Sequence, residues 1–185
     1  MEQVGRGTPE AAINSAVALP WYALQVRSRY ERLIADALLS KEYESFLPLY
    51  GKKSRWSDRI KELKLPLFPG YLFCRFDINN RLPILMTPGI IRIVGIGKRP
   101  RPIDETEISA IQTVVASGLH AEPVPYLYTG QKVRIGQGSL SGVEGILAGV
   151  RGPARLVVSV TLLQRSISVE IDERWVRPVD SRLVH

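Results

Sequence analysis

Apolar residues change their spacing near residue 120, and this change predicts two domains. Before it, apolar residues at helical spacing alternate with strand-like apolar runs in the order βαββαβα. That order favours an α+β sandwich, with helices packed on a mostly antiparallel sheet. After it, the period falls to two from Val133 and Ile135 onward, and glycine-rich turns separate short strands. The second part is therefore expected to be a small five-stranded β-barrel.

Composition sets the expected domain boundaries. The first residues are small and polar without a period, which is typical of a loose tail. Pro123 and Pro125 lie in the stretch where the spacing changes, and this favours an interdomain linker. The expected segments are a disordered tail (1–17), the first domain (18–118), a linker (119–126), the second domain (127–180) and a tail (181–185).

The first helix is predicted to begin at a capping box. In such a box Ser28 accepts a hydrogen bond from the Glu31 amide, and the Glu31 carboxylate reaches back. Arg29 and Arg32 fall on the face that points away from the sheet. The face predicted to pack on the sheet carries Tyr30, Leu33, Ile34, Ala37 and Leu38.

The same patterns predict the later elements of the first domain. Residues 44–50 are predicted as the second strand, and residues 79–86 as a short helix. Residues 104–107 are predicted to cap a third helix that ends at Gly118. The apolar face of this helix carries Ile108, Ile111, Val114 and Val115.

An unusual aromatic turn precedes one of the apolar strands. The segment from Leu67 to Phe76 is predicted as a strand that starts with Phe68-Pro69-Gly70-Tyr71. Pro69 donates no backbone hydrogen bond and Gly70 permits a positive φ, so we expect a kink at a sheet edge or bulge. The kink would present Phe68 and Tyr71 together, and aromatic residues at an edge often anchor a protein partner.

Positive charge is concentrated in the first part of the chain. The formal net charge is +7, and most of the surplus lies before residue 119. Such a surplus suits a polyanion such as nucleic acid. A basic arm at residues 51–64 carries Lys52, Lys53, Arg55 and Trp56. Either the arm contacts phosphates and stacks Trp56 on a base, or it is a solvated hairpin with Trp56 packed on its own strand.

The residue inventory argues against several classes of function. One cysteine excludes an internal disulfide framework, and two histidines leave no metal cluster or catalytic dyad. The Gly95-x-Gly97 and Gly136-x-Gly138 pairs lack the third glycine and following helix of a dinucleotide site. No apolar run approaches membrane-spanning length, and the first residues lack the features of a secretion signal. We therefore expect a cytoplasmic protein without catalysis, cofactor or metal.

The ordered motifs carry a resemblance to a known family. Trp21-Tyr22 opening a strand, then Leu67–Tyr71, then Thr87-Pro88-Gly89-Ile90 resemble the N-terminal (NGN) domain of NusG-type transcription elongation factors. The segments 130–135 and 138–145 with a return strand are similar to a KOW domain. The resemblance covers residues 20–180 in order. Within the superfamily, residues 46–50, 55–59 and 162–166 look most like the UpxY/RfaH-like antiterminators.

The resemblance implies an RNA polymerase partner. The first domain would dock on the clamp helices of the β′ subunit, bridge the DNA cleft to the β gate region, and suppress pausing and termination. Phe68, Pro69, Gly70 and Tyr71 match the family's docking motif, and Trp21 lies on the neighbouring strand. Core packing is the alternative role for Trp21. The His-Thr-Thr motif of the specialised relatives is absent from residues 81–87, so no residue is assigned to the gate region.

The resemblance also implies contact with nucleic acid. In the specialised relatives, basic residues of the first helix contact a DNA or RNA hairpin, and Arg27, Arg29 and Arg32 occupy matching positions. Solvated arginines on a helix face are the alternative. The resemblance implies action at a specific set of operons, and a general elongation factor is the alternative.

The second domain departs from NusG where partners would bind. NusG's Gly-Pro-Phe is Gly138-Ser139-Leu140 here, and its Phe-Gly-Arg is replaced at residues 163–165. These changes argue against binding of the termination factor Rho or of a small ribosomal subunit protein. Leu140 and Leu162 would supply an apolar contact or, as the favoured reading, pack in the barrel core. A monomer is expected, and the alternative function is a ribosome-associated KOW-type RNA-binding protein.

Overall fold

The computed structural model describes residues 19–56, 59–126, 130–148 and 154–179, with the side chains of residues 53–61 outside the description. Within these residues the strands form a four-stranded sheet, a six-stranded sheet and two two-stranded sheets, and all strand pairs are antiparallel. None of the helices in the described part of the chain has the length and apolarity that a bilayer crossing needs. The mixed α+β class expected from the sequence is confirmed.

The first part of the chain contains three α-helices and eight strands among its described residues. They are β1 (Trp21–Val26), α1 (Glu31–Leu39), β2 (Glu44–Phe46), β3 (Leu49–Trp56), β4 (Arg59–Pro66), β5 (Tyr71–Arg75), α2 (Leu82–Leu85), β6 (Ile90–Ile93), β7 (Gly95–Ile96), β8 (Arg99–Pro100) and α3 (Glu105–Ala116). The second part follows as β9 (Ala121–Pro125), β10 (Gln131–Ile135), β11 (Glu144–Ala148), β12 (Arg155–Val160), β13 (Arg165–Glu170) and β14 (Val176–Pro178).

Strand β1 is an interior strand of the first sheet, and its side chains contribute to the apolar cores on both faces of that sheet. The strand order is β2-β5-β1-β6, so β1 pairs with β5 and with β6. Side chains alternate along a strand, and here Leu24 faces a core shared with α1, whereas Ala23 faces a core shared with α3. Alternation thus explains why one apolar strand supports helices on two sides.

Helix α1 packs through a narrower face than the sequence predicts. Ile34 and Leu38 are buried, and burial of such side chains contributes about 1.5–3 kcal/mol each. Tyr30 and Leu33, predicted to face inward, are 49% and 64% exposed. The predicted capping box is also wrong, because α1 begins at Glu31 after Tyr30, which makes no side-chain cap hydrogen bond.

Two predicted elements are divided in the structure, and a third is shortened. The second strand breaks around Pro48, whose carbonyl accepts from the Leu67 amide at 2.9 Å. The third begins only at Tyr71, after the aromatic turn. The helix predicted for residues 79–86 is a 3₁₀ turn at Ile78–Asn80, capped by the Asp77 side chain, followed by α2.

Helix α3 follows its sequence signals. The Asp104 carboxylate accepts from the Thr106 amide at 2.8 Å and caps the helix. Ile108 and Ile111 point into the core, and Gly118 adopts φ +68° just beyond the helix end. The predicted cap, apolar face and glycine stop of α3 are therefore confirmed.

The second sheet contains one strand more than the five expected. Its order is β14-β10-β11-β12-β13-β9, and β10 to β13 coincide with the alternating apolar runs that predict strands in the sequence. The sixth, β9, lies in the segment expected to be a linker and pairs with β13 from Ala121↔Val169 to Pro125↔Arg165. Its prolines are tolerated because β9 is an edge strand, where backbone donors facing outward need no partner.

The two parts of the chain contact each other through α3. Helix α3 packs against β12, and a single apolar cluster contains both Ile111 of α3 and Leu156 of β12. The Thr161 amide, just after β12, donates to the Glu107 carboxylate at 3.1 Å. The contact therefore combines buried apolar area with one polar tie at its exposed margin.

Candidate docking turn and basic groove

Residues 68–71 form a type II β-turn. The Tyr71 amide donates to the Phe68 carbonyl at 3.0 Å, and Gly70 has φ +80°. A type II turn favours proline at its second position, because the ring fixes φ, and glycine at its third, because φ must be positive. Pro69 and Gly70 occupy these positions. The kink expected from the sequence is confirmed, and its physical cause is this turn.

Both backbone polar groups of Gly70, the carbonyl and the amide, make hydrogen bonds. Its carbonyl accepts from the Val26 amide at 2.9 Å, which ties the turn to the end of β1. Its amide donates to Oε1 of Glu31 at 2.9 Å, and Glu31 is only 4% exposed. No cation pairs with this carboxylate among the described residues, so its role is to accept the turn amide. The sequence suggests a capping role for Glu31 and gives no signal for this contact.

The turn presents some of its side chains to solvent and buries others. Pro69 is exposed and Tyr71 is half-buried. Phe68 and Trp21 are each 1% exposed, so both rings belong to the core. The Phe68 ring packs edge-on against Phe73, with centroids 5.6 Å apart. The expected outward pairing of Phe68 with Tyr71 does not occur, because the turn directs Phe68 inward and β5 is an interior strand.

Trp21 is fixed beneath a charged side chain. The guanidinium carbon of Arg75 lies 4.8 Å from the Trp21 ring centroid, a cation–π distance. Nη2 of Arg75 donates to Glu105 at 2.5 Å, and Nη1 donates to Glu44 at 3.4 Å. Arg75 thereby links β5, β2 and the start of α3 above the indole. The sequence left two roles open for Trp21, polymerase docking and core packing. The described structure shows Trp21 packed in the core.

Basic residues of α1 and of the β3–β4 hairpin line one groove. The groove has a cavity volume of about 500 Å³ and is bounded by Arg29 and Arg32 on one side and by Lys64 of β4 on the other. Tyr50 of β3 and Pro69 of the turn contribute apolar walls. All three cations are exposed. The groove thus adjoins the docking turn and combines cations with ring surfaces.

The other predicted nucleic-acid residues have separate positions. Arg27 and Lys52 are exposed, and neither lines the groove. The side chains of Lys53, Arg55 and Trp56 lie outside the described residues, although β3 includes their backbone. Stacking on a base and packing on its own strand therefore both stay predictions for Trp56. Lys64 and Tyr50 were not among the predicted residues; their place in one hairpin with the basic arm is the signal that points to them.

The residues proposed to bind partners in the second domain have different environments. Leu140 is fully buried, which agrees with the core role favoured by the sequence. Leu162 is half-buried and packs on the same apolar cluster. Gly138 lies beneath the Trp175 ring, where an added Cβ would be 3.1 Å from ring carbons. Leu162 is thus the member of the predicted pair with accessible side-chain surface.

The titratable groups of this region do not resemble a catalytic set. Burial raises the pKa of the Cys74 thiol to about 12, with a smaller contribution from Glu44, so the thiol stays protonated. Within the described ranges, no three His, Cys, Asp or Glu side chains are placed to hold a metal ion. The contacts that the described side chains offer are apolar at the turn and cationic in the groove.

The described residues form an α+β fold: in its first part an aromatic type II turn adjoins a basic groove, and its second part forms an antiparallel six-stranded sheet. The family model described as "Transcription termination factor nusG" matches residues 19–112, which is half of the chain. The chain therefore belongs to the NusG family. The matched segment contains the docking turn, the groove and most of α3.

Relatives of known name extend the match over both domains. The transcription termination/antitermination protein NusG of Lactococcus lactis is 26% identical over 176 residues, covering 87% of this chain and 94% of that protein. The protein of the same name from Thermus thermophilus is 26% identical, covering 84% of this chain and 96% of the relative. In both comparisons the aligned region covers more than four fifths of this chain and more than nine tenths of the relative.

A solved structure supports the fold. The structure titled "Domain interaction in Thermotoga maritima NusG" has a TM-score of 0.52 and covers 87% of this chain and 97% of that one. Its sequence identity is 18%, so the likeness concerns the fold alone.

Proposed function

We propose that this protein is a transcription elongation and antitermination factor that docks on the clamp helices of the RNA polymerase β′ subunit. It then bridges the DNA cleft to the β gate region and suppresses pausing and termination. Membership of the NusG family supports the general role, because the relatives are named transcription termination/antitermination proteins. A cytoplasmic place of action follows from such a partner.

The type II turn at residues 68–71 is the observation that carries the docking proposal. It holds an exposed proline and a half-buried tyrosine on a backbone fixed at both sides of Gly70. Rigid rings lose little conformational entropy when a partner covers them, which favours their use as anchors. Pro69 and Tyr71 are therefore proposed as the polymerase-contacting residues.

Trp21 and Phe68 act in this proposal as the support of the turn. Both are buried, so a partner reaches them only if covering elements move. Phe68 packs on Phe73 and anchors the inner side of the turn. Truncation of either ring is expected to disturb docking through the fold, whereas truncation of Tyr71 acts at the surface.

Nucleic-acid contact completes the proposed role. Arg27, Arg29 and Arg32 present positive charge from the start of α1, and Lys52 extends it along the hairpin. Such cations contact the phosphates of DNA or of a nascent RNA hairpin. Contact of this kind is the basis on which the factor would be recruited to a specific set of operons.

The docking test compares surface variants that leave the core intact. Wild type, Tyr71→Ala and Pro69→Ala are used to capture a purified β′ clamp-helix fragment, and Tyr30→Ala serves as a control because Tyr30 is an exposed ring just before α1. We expect at least a tenfold loss for Tyr71→Ala, about 1.4 kcal/mol, and no loss for Tyr30→Ala. Undiminished capture by both turn variants, with unchanged melting temperature, would refute the docking proposal.

The same variants separate this function from a ribosomal one. A ribosome-associated protein would co-sediment with ribosomes whether or not Tyr71 is present. The second domain would take part through Leu162, its accessible apolar residue, and a small ribosomal subunit protein or Rho is the partner to assay. Co-sedimentation together with failure to bind the clamp helices would favour the ribosomal alternative.

A further inference from the structure

Helix α1 presents an exposed apolar flank beside α2. Lys41, which follows α1, donates from Nζ to the Pro83 carbonyl at 3.1 Å and to Oγ1 of Thr87 at 2.8 Å, so α2 lies next to the C-terminal end of α1. Residues four and eight positions earlier share this flank, because an α-helix turns by about 100° per residue. They are Ala37 and Leu33, so Leu33, which is 64% exposed, lies on the flank that faces α2.

Helix α2 adds three more exposed apolar side chains. Leu82 and Met86 are 65% and 71% exposed and Leu85 is also exposed, whereas Ile84 is buried. Spacings of three and four residues bring the exposed three to one side of the helix. Both helices pack on the same face of the first sheet, because Ile84 and residues of α1 belong to one apolar cluster. The helical face is defined here as Leu33, Leu82, Leu85 and Met86.

Stability alone does not account for the exposure of these side chains. A helix of four residues is too short to form by itself, and α2 also carries Pro83 in its first turn. It is held by Ile84 in the core and by Lys41, and buried Thr87 adds a hydrogen bond from Oγ1 to the Pro83 carbonyl at 3.1 Å. The chain thus fixes a short helix whose apolar side chains mostly point to solvent. Grouped exposed apolar residues mark interaction sites, whereas single ones are ordinary.

Charge selects the kind of partner for the helical face. Residues 78–103, which carry α2 and β6, contain five Lys or Arg residues and no Asp or Glu. Arg81 precedes α2 and Arg92 lies in β6, and both are exposed. The Lys41 ammonium adds a third cation beside α2. A partner with apolar side chains and carboxylates complements this surface, whereas a second copy of the chain would bring like charges together.

We propose that the helical face binds an acidic amphipathic helix of a partner protein. Such a helix has apolar residues at intervals of three and four on one side, which suits a surface made by two neighbouring helices. Its carboxylates would meet Arg81 and Arg92 at the margin of the contact. Met86 favours this use, because the flexible methionine side chain adapts to the shape of a partner.

The helical face is separate from the docking turn and from the basic groove. Tyr71 of the turn packs against the apolar cluster on the α3 side of the first sheet, whereas α1 and α2 pack on the other side. Arg32, which lines the groove, lies on the opposite flank of α1 from Leu33 and Ala37. A molecule bound at the turn would leave the helical face accessible. The inference therefore goes beyond the proposed function and does not depend on it.

Fluorescence anisotropy with synthetic peptides and the full chain tests the proposal. The probe is a labelled sixteen-residue helical peptide with leucine on one side and glutamate on the other. A peptide with lysine in place of glutamate and a scrambled peptide of the same composition are the comparisons. The variants are Leu33→Ser and Met86→Ser. Leu39→Ser is the matched control, because Leu39 is 66% exposed on the same helix but lies on its other flank.

The expected effects follow from the loss of single apolar or charged contacts. Leu33→Ser and Met86→Ser are each expected to weaken binding of the acidic peptide about fivefold or more, and Leu39→Ser to leave it unchanged. Arg81→Glu is expected to weaken the acidic peptide and strengthen the lysine peptide, because it reverses one charge at the margin. All four side chains are exposed, so the melting temperatures are expected to stay close to that of wild type.

Four outcomes would overturn the proposal. The first is failure of the acidic peptide to bind, or binding that neither Leu33→Ser nor Met86→Ser weakens in stably folded protein. The second is equal affinity for the lysine or the scrambled peptide. The third is a wild-type dimer in sedimentation that Leu33→Ser dissociates, which would make the helical face a contact between copies. The fourth is binding to vesicles of anionic phospholipid that depends on the same residues, which would make it a lipid contact.

Capture of the clamp-helix fragment keeps this inference distinct from the docking proposal. Leu33→Ser and Met86→Ser are expected to capture the fragment as well as wild type. If wild type fails to capture the fragment but binds the acidic peptide through the helical face, the docking proposal fails and this one stands.

Discussion

The buried carboxylate of Glu31 gives the sharpest test of how the docking turn is held. Its Oε1 accepts from the Gly70 amide at 2.9 Å, and the side chain is 4% exposed. Glu31→Ala removes this acceptor and leaves the amide of a buried glycine without a partner. Glu31→Gln keeps a carbonyl oxygen of similar reach and removes only the charge.

The two variants are expected to differ in magnitude. A buried donor left unsatisfied costs about 1–3 kcal/mol, and loss of one buried methylene adds about 0.8 kcal/mol. Release of a desolvated carboxylate offsets part of this, so we expect Glu31→Ala to lower the free energy of unfolding by about 2–3 kcal/mol. Glu31→Gln exchanges a charge-assisted hydrogen bond for a neutral one and is expected to cost about 1 kcal/mol.

Urea unfolding and amide exchange provide the measurements. Intrinsic fluorescence of the three tryptophans follows unfolding, and buried Trp21 is a reporter in the first domain. Hydrogen exchange at the Gly70 amide reports the contact directly: protection should persist in Glu31→Gln and fall in Glu31→Ala. Two results would refute the reasoning, namely a loss below about 0.5 kcal/mol for Glu31→Ala, or equal losses and equal exchange for both variants.

A helix cap and two glycines give further measurable outcomes. Asp104→Ala should lower the free energy of unfolding by about 1 kcal/mol, and Asp104→Asn by much less. Hydrogen bonds from Thr106 lower the pKa of Asp104 below 3.8 in the folded protein. The stabilisation by the Asp104 carboxylate is therefore present above pH 3.8 and is lost as the pH falls through the lower folded-state pKa. Urea titrations from pH 7 to 2 should show the wild-type advantage over Asp104→Ala disappear, and an advantage that persists at pH 2 would count against the cap. Alanine at Gly138 and Gly142, with φ +80° and +86°, should cost about 1–2 kcal/mol each from backbone strain. At Gly138 the new Cβ also meets the Trp175 ring at 3.1 Å, whereas nothing lies within 4 Å at Gly142, so equal losses would contradict the ring contact.

The sequence predicts elements well where local signals and burial agree. Helix α3 has its cap, apolar face and glycine stop in the expected places, because all three depend on neighbours within a few residues. The turn at Pro69-Gly70 is predictable for the same reason. The strands β10 to β13 follow from alternation and glycine turns.

Long-range contacts explain what the sequence does not predict. Ser28 and Glu31 have the spacing of a capping box, but the Glu31 carboxylate is taken by Gly70, thirty-nine residues further on. Arg29 turns left-handed just before α1, which a pattern of polar residues does not reveal. Lys64 and Arg29 line the same groove, and this likewise depends on how the hairpin lies against α1.

Strand β9 sets how far the second domain can travel. Only residues 117–120 separate α3 from β9, and four residues span at most about 14 Å. With β9 unpaired from β13, the described residues of the free segment would be 117–126, with a reach of about 36 Å. The local concentration of one tethered domain around another falls as the tether lengthens. Pairing of a single edge strand therefore sets how often the two halves of this chain meet, independently of any contact between them.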